Sequence, residues 1–134
     1  MEEPLGEHCI IDLYDCRGDI LDNLEDIQST MLEAARIAGA TVIDRRFHKF
    51  SPQGVTGVVV IAESHLSIHT WPELNYAALD LFTCNLRMKM ESVFTLLESR
   101  FSPGSMDVRR IPRGILDLER RRNIEVEKLD RALV

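Results

Sequence analysis

Residues 62–73 read AESHLSIHTWPE, and the rest of the chain concentrates chemistry nowhere else so densely. Two of the four histidines, His65 and His69, fall there with the single tryptophan, Trp71, and the hydroxyls of Ser64, Ser67 and Thr70. Three common assignments fail on spacing. His65 and His69 stand four apart, but there is no HExxH pattern, and Pro72 with its short alternating surroundings disfavours a helix that would aim both at one zinc ion. Ser64 lies between Glu63 and His65, not in the GxSxG turn of a hydrolase elbow. Gly54 and Gly57 precede an apolar strand, whereas a phosphate-cradling loop opens a helix. What remains is a hydroxyl, an imidazole and a thiol: Ser64, His69 and Cys84. Two neighbouring antiparallel strands can gather them into a nucleophile with acid and base partners. A polar loop at a sheet edge would have the same composition.

The elements that must position these groups follow from periodicity. Residues 8–14, HCIIDLY, read as a strand ending in the turn cluster Asp15-Cys16-Arg17-Gly18. Over residues 21–38, Leu21, Leu24, Ile27, Met31, Leu32, Ala35 and Ile37 recur at helical steps, with Asp19 or Asp22 as the cap and Gly39 as the left-handed stop. Residues 40–50 alternate as a strand, and Ser51-Pro52-Gln53-Gly54 is a turn. Residues 55–62 form an apolar run that predicts a strand buried on both faces. Residues 76–83 alternate, residues 90–100 carry Val93, Leu96 and Leu97 at helical spacing, and residues 106–111 make a last strand. The order β-α-β-β-β-α-β, with hairpin-length middle connections, predicts an α+β fold. It is a two-layer sandwich, a mainly antiparallel sheet with two helices on one face, and the other face is left for water or a second copy. The charged stretch 113–134 reads as a solvated helix or frayed terminus.

At 134 residues the chain is one domain's worth. Hydrophobic residues make up 45% and charged residues 28%, which excludes a disordered or collagen-like chain. No apolar run is long enough to span a membrane as a helix, and the acidic start MEEPLGEH lacks the layout of a signal peptide. A net charge of −6 argues against nucleic acid or an anionic membrane as partner. Three cysteines without an export signal read as reduced thiols, so the expected location is cytoplasmic.

Residues 47–84, FHKFSPQGVTGVVVIAESHLSIHTWPELNYAALDLFTC, resemble the prokaryotic S-adenosylmethionine decarboxylase proenzymes. HCIIDLYDC before this stretch and RRIPRGILD after it extend the similarity over most of positions 5–117. The resemblance implies a pyruvoyl-dependent enzyme that cuts itself between Glu63 and Ser64, giving a β chain, 1–63, and an α chain, 64–134. Ser64 would become the pyruvoyl group that forms a Schiff base with the substrate, and no metal is implied. By position, His69 would take the serine α-proton during processing, and Thr56 would lend a hydroxyl to that step. Cys84 would return a proton to the substrate after carbon dioxide leaves. Phe50 would stack on the adenine, Glu73 would accept from the ribose hydroxyls, and Leu66 and Trp71 would line the same pocket. The partners implied are S-adenosylmethionine and a second αβ protomer, in polyamine biosynthesis.

The chain departs from the family pattern at Asn75, where glycine is common, at Asp12, where glutamate is frequent, and at Asn85-Leu86-Arg87-Met88-Lys89-Met90. These positions bear on the substrate more than on the cleavage, so the alternative is an arginine or ornithine decarboxylase using the same pyruvoyl chemistry. A non-catalytic regulatory paralogue would be expected to lose the serine or the cysteine, and both are present.

Overall fold

A computed structural model describes residues 3–117. Of the charged stretch 113–134, read above as a helix or frayed end, Arg113 closes the last strand, residues 114–117 form no helix, and residues 118–134 lie outside the described residues. The elements are β1 (Gly6–Tyr14), α1 (Gly18–Leu21), α2 (Leu24–Ala38), β2 (Val42–Lys49), β3 (Val55–Ile61), β4 (Ser64–Trp71), a 3₁₀ turn (Pro72–Leu74), β5 (Tyr76–Thr83), α3 (Met90–Phe101) and β6 (Ser105–Arg113). The strands form one antiparallel sheet in the order β2-β3-β4-β5-β1-β6.

Both long helices cover the same face. Met31 and Ala34 of α2 and Val93 and Leu97 of α3 close on Ile11, Leu66, Leu79 and Leu81 of the sheet. Burying an aliphatic side chain of this kind contributes about 1.5–3 kcal/mol. The two-layer α+β sandwich expected from the sequence is therefore the fold.

Three local expectations need correction. The helix expected over 21–38 is two: α1 ends at Leu21, and α2 begins after Asn23, whose side-chain oxygen accepts from the Asp26 amide at 3.0 Å. Neither Asp19 nor Asp22 is its cap; Asp22 instead binds Lys49 and the Gly54 amide, each at 2.8 Å. The left-handed stop at Gly39 is as expected, with φ 84°. A strand, β4, occupies the stretch that carries the candidate chemistry. Its alternation sends Leu66, Ile68 and Thr70 into the core while His65, Ser67 and His69 leave on the other face. Finally, β3 is buried on one face only, and Val60 is 40% exposed, because no second layer covers the sheet among the described residues.

The uncovered face carries more than polar side chains. Ile10, Val58, Val60 and Ile111 share it with Tyr14, Tyr76, Phe82 and Trp71, and Val60, Ile111, Tyr14 and Trp71 are exposed. Between them lie partnered polar groups: His8 with Asp80 at 2.9 Å, and Tyr76 donating to Asp12. The Asp12 carboxylate pushes the Tyr76 phenol up to about 12. A monomer rarely leaves a broad apolar face in water.

Candidate active site

The first cluster stands at one end of β4. Ala62 and Glu63 form the turn between β3 and β4, with Ile61 paired to Ser64 across it. Neither turn residue takes a positive φ, but Ser64 does, at 148°. That region is costly for a side chain with a β-carbon, by about 1–3 kcal/mol. Ser64 pairs with Thr83 of β5, so Cys84, the next residue, comes beside the turn. The Cys84 amide donates to the Glu63 carbonyl at 2.9 Å. Upstream, the Thr41 amide donates to Glu63 Oε1 at 3.2 Å, and the Ala62 amide donates to the Thr41 carbonyl at 2.8 Å. The Cys84 side chain is exposed and borders a cleft of ≈ 530 Å³ with Asn85, Leu86, Arg87, Glu3 and Pro4. The other thiols, Cys9 and Cys16, are buried, and desolvation pushes each up to about 11.

The second cluster stands at the other end of the same strand. His69 pairs with Thr56 of β3, and His69 Nδ1 lies 3.1 Å from Thr56 Oγ1. The Trp71 ring is 6.5 Å from that imidazole and 5.3 Å from Tyr76. Phe50, just past β2, is held by its amide bond to the Gly54 carbonyl at 2.8 Å and lies edge-on to His48 at 4.6 Å. Phe50 and Trp71 are 47% and 41% exposed, so these aromatics are not core. Glu73 accepts from Gln53 at 2.6 Å and borders a cleft of ≈ 430 Å³ whose wall includes Asp19, Asp22 and Asn23. Leu66, expected in the pocket, is buried on the helix face.

The structure thus gathers Ser64, Glu63 and Cys84 at one end of β4 and Thr56, His69 and Trp71 at the other, the end of the sheet where Phe50 and Glu73 also stand. Five residues of extended chain separate Ser64 from His69, about 17 Å at the rise of a strand. Within one chain they do not meet. Sequence reasoning also left out His65, whose Nδ1 lies 3.2 Å from Ser64 Oγ.

The sandwich thus holds a hydroxyl, a hydrogen-bonded carbonyl and a thiol together at one strained turn. Residues 7–114 match the S-adenosylmethionine decarboxylase family. The S-adenosylmethionine decarboxylase proenzyme of Syntrophomonas wolfei is 46% identical over 115 residues, covering 86% of this chain and 91% of that protein. The proenzyme of Methanococcus maripaludis is 48% identical over 115 residues, covering 86% and 94%. The crystal structure of adenosylmethionine decarboxylase from Aquifex aeolicus superposes with a TM-score of 0.79 at 36% identity, over 87% of this chain and 96% of that one. A Trypanosoma brucei structure shares the fold at a TM-score of 0.58 and 14% identity, over 76% of this chain and 44% of that one. The chain belongs to the S-adenosylmethionine decarboxylase family.

Proposed function

We propose that this chain is a proenzyme that cuts itself between Glu63 and Ser64 and then decarboxylates S-adenosylmethionine. The observation that carries the reading is the state of that one peptide bond. Its carbonyl already accepts from the Cys84 amide at 2.9 Å, a fixed donor where negative charge develops when Ser64 Oγ attacks. Its serine is held at a φ of 148°, strain that a broken backbone bond releases. The attack turns the amide into an ester, and loss of the Ser64 α-proton then expels the upstream chain with a carboxylate at Glu63.

Residue 64 fits a pyruvoyl group: it opens β4, a thiol stands beside it, and a cleft borders that thiol. Such a group supplies a ketone that combines with an α-amine and accepts electrons as carbon dioxide departs. Cys84 Sγ holds the proton that returns to the substrate carbon. Phe50 offers an exposed flat face for a base, and Glu73 an acceptor-only carboxylate for two ribose hydroxyls.

His69 removes the α-proton only if it reaches Ser64, and the 17 Å of β4 between them calls for a second copy. When two uncovered faces meet about a twofold axis, the Ser64 end of one β4 lies over the far end of the other. Each site then takes Ser64 and Cys84 from one protomer and His69, Phe50 and Glu73 of the partner subunit. Thr56 orients that imidazole through Nδ1. The assembly is a dimer of cut protomers, each an αβ pair.

The family departures leave this substrate in place. Asn75 sits at φ 53°, ψ 35°, the left-handed conformation asparagine tolerates best after glycine, so the backbone is kept. Asp12 is occupied by Tyr76, and Met88 and Met90 are core. Carbon dioxide release from S-adenosylmethionine, arginine and ornithine, offered separately, tests the reading. Release from the first alone is expected. Release from arginine or ornithine without S-adenosylmethionine would replace it.

A further inference from the structure

Neighbouring side chains of a strand leave on opposite faces and do not meet. Ser64 and His65 do meet, Oγ to Nδ1 at 3.2 Å, because the φ of 148° at Ser64 breaks the alternation at the first residue of β4. The imidazole is itself held in place. It pairs across the ladder with Phe82, and the two rings lie nearly parallel, 6.0 Å apart at 14°. Phe82 is braced in turn by the His8 ring at 5.7 Å and the Arg113 guanidinium at 5.6 Å. His69, by contrast, is engaged with Thr56 at the other end of the strand.

We propose that His65 is the catalytic base of the first step of self-cleavage, the acyl shift, and that His69 acts only afterwards. This rests on the self-processing reading above. With its proton on Nε2, His65 accepts the Ser64 hydroxyl hydrogen at Nδ1. As Oγ bonds to the Glu63 carbonyl carbon, that proton passes to Nδ1. As the carbon–nitrogen bond breaks, the imidazolium gives the proton to the Ser64 nitrogen. One C–O bond forms, one C–N bond breaks, the imidazole is restored, and no further reactant is consumed.

Hydroxylamine separates the two histidines, since it cuts an ester and spares an amide. An uncut His69→Ala chain is expected to hold the ester and to be split by hydroxylamine between residues 63 and 64. His65→Asn is expected to slow self-cleavage about 10²-fold or more, and its uncut chain is expected to resist hydroxylamine. In a Ser64→Cys background a thiol is the nucleophile and depends far less on a base. There His65→Asn should still form a hydroxylamine-sensitive thioester, which also shows that the turn is folded. His65→Asn cutting at the wild-type rate, accumulating ester, or failing equally with Ser64 and with Cys at position 64 would overturn the proposal. A wild-type chain that never cuts would instead remove the self-processing reading, and this proposal with it.

Discussion

Glu73 shows what single residues contribute here. Its carboxylate accepts from Gln53 on the rim of a cleft and touches nothing in the cleavage turn. Glu73→Gln keeps the shape and removes the charge. It should weaken S-adenosylmethionine binding by about 1.5–3 kcal/mol, the contribution of a hydrogen bond to a charged group, and leave self-cleavage at its normal rate. Calorimetry on the cut protein checks the first part and a gel the second; equal binding would remove Glu73 from the site. The thiols divide just as sharply. Burial pushes Cys9 and Cys16 up to about 11, so at pH 8 each stays a protonated, shielded thiol, while the Cys84 side chain is exposed. Alkylation of the folded protein should therefore label Cys84 first, with the other two reacting only on unfolding, as peptide masses would show.

At the scale of elements, β2 packs against β3 where a side chain is missing. A β-carbon on Gly57 would stand 2.0 Å from Phe47 Cδ1, so the Phe47 ring lies directly over that glycine. Gly57→Ala must push the ring out of its place, at a cost of about 1–3 kcal/mol. A lowered denaturation midpoint with an unchanged slope checks this. The strands and helices with clear apolar periodicity were legible in the sequence, as were the Gly39 stop and the single covered face. β4 was not, because its outward positions carry His65, Ser67 and His69, and a run of hydroxyls and imidazoles hides the alternation of Leu66, Ile68 and Thr70. The break before Asn23 was hidden for a different reason: Leu21 and Leu24 keep helical spacing across it. The residues of the candidate site were named from their motifs. The site's division between two ends of a strand was not legible, since spacing along a chain does not say whether the chain is extended between the residues. His65 escaped because neighbours in a strand ordinarily face apart, and only the positive φ at Ser64 joins them.

For the whole molecule, the uncovered sheet face and the divided site lead to the same expectation. If each site takes its serine from one subunit and His69 from the other, two defective chains can repair one another. Ser64→Ala lacks the nucleophile and His69→Ala the group that takes the α-proton. In a mixed dimer, the Ser64 of the His69→Ala chain meets an intact His69 of the partner subunit. Co-expression with distinguishable tags should therefore cut the His69→Ala chain, at up to one site per mixed dimer, and leave the Ser64→Ala chain whole. Cleavage of neither chain would mean that the site is completed within one subunit.

The intact mass of the purified wild-type protein, beside that of Ser64→Ala, decides whether the chain cuts itself and converts residue 64. Two wild-type species are expected. One is residues 1–63 ending in a free carboxylate; the other is residues 64–134, lighter by one ammonia than a chain beginning with serine. Ser64→Ala should remain a single chain of full length. A wild-type protein that stays one full-length chain after prolonged incubation, or that is cut with an unmodified serine at its new terminus, would contradict that expectation.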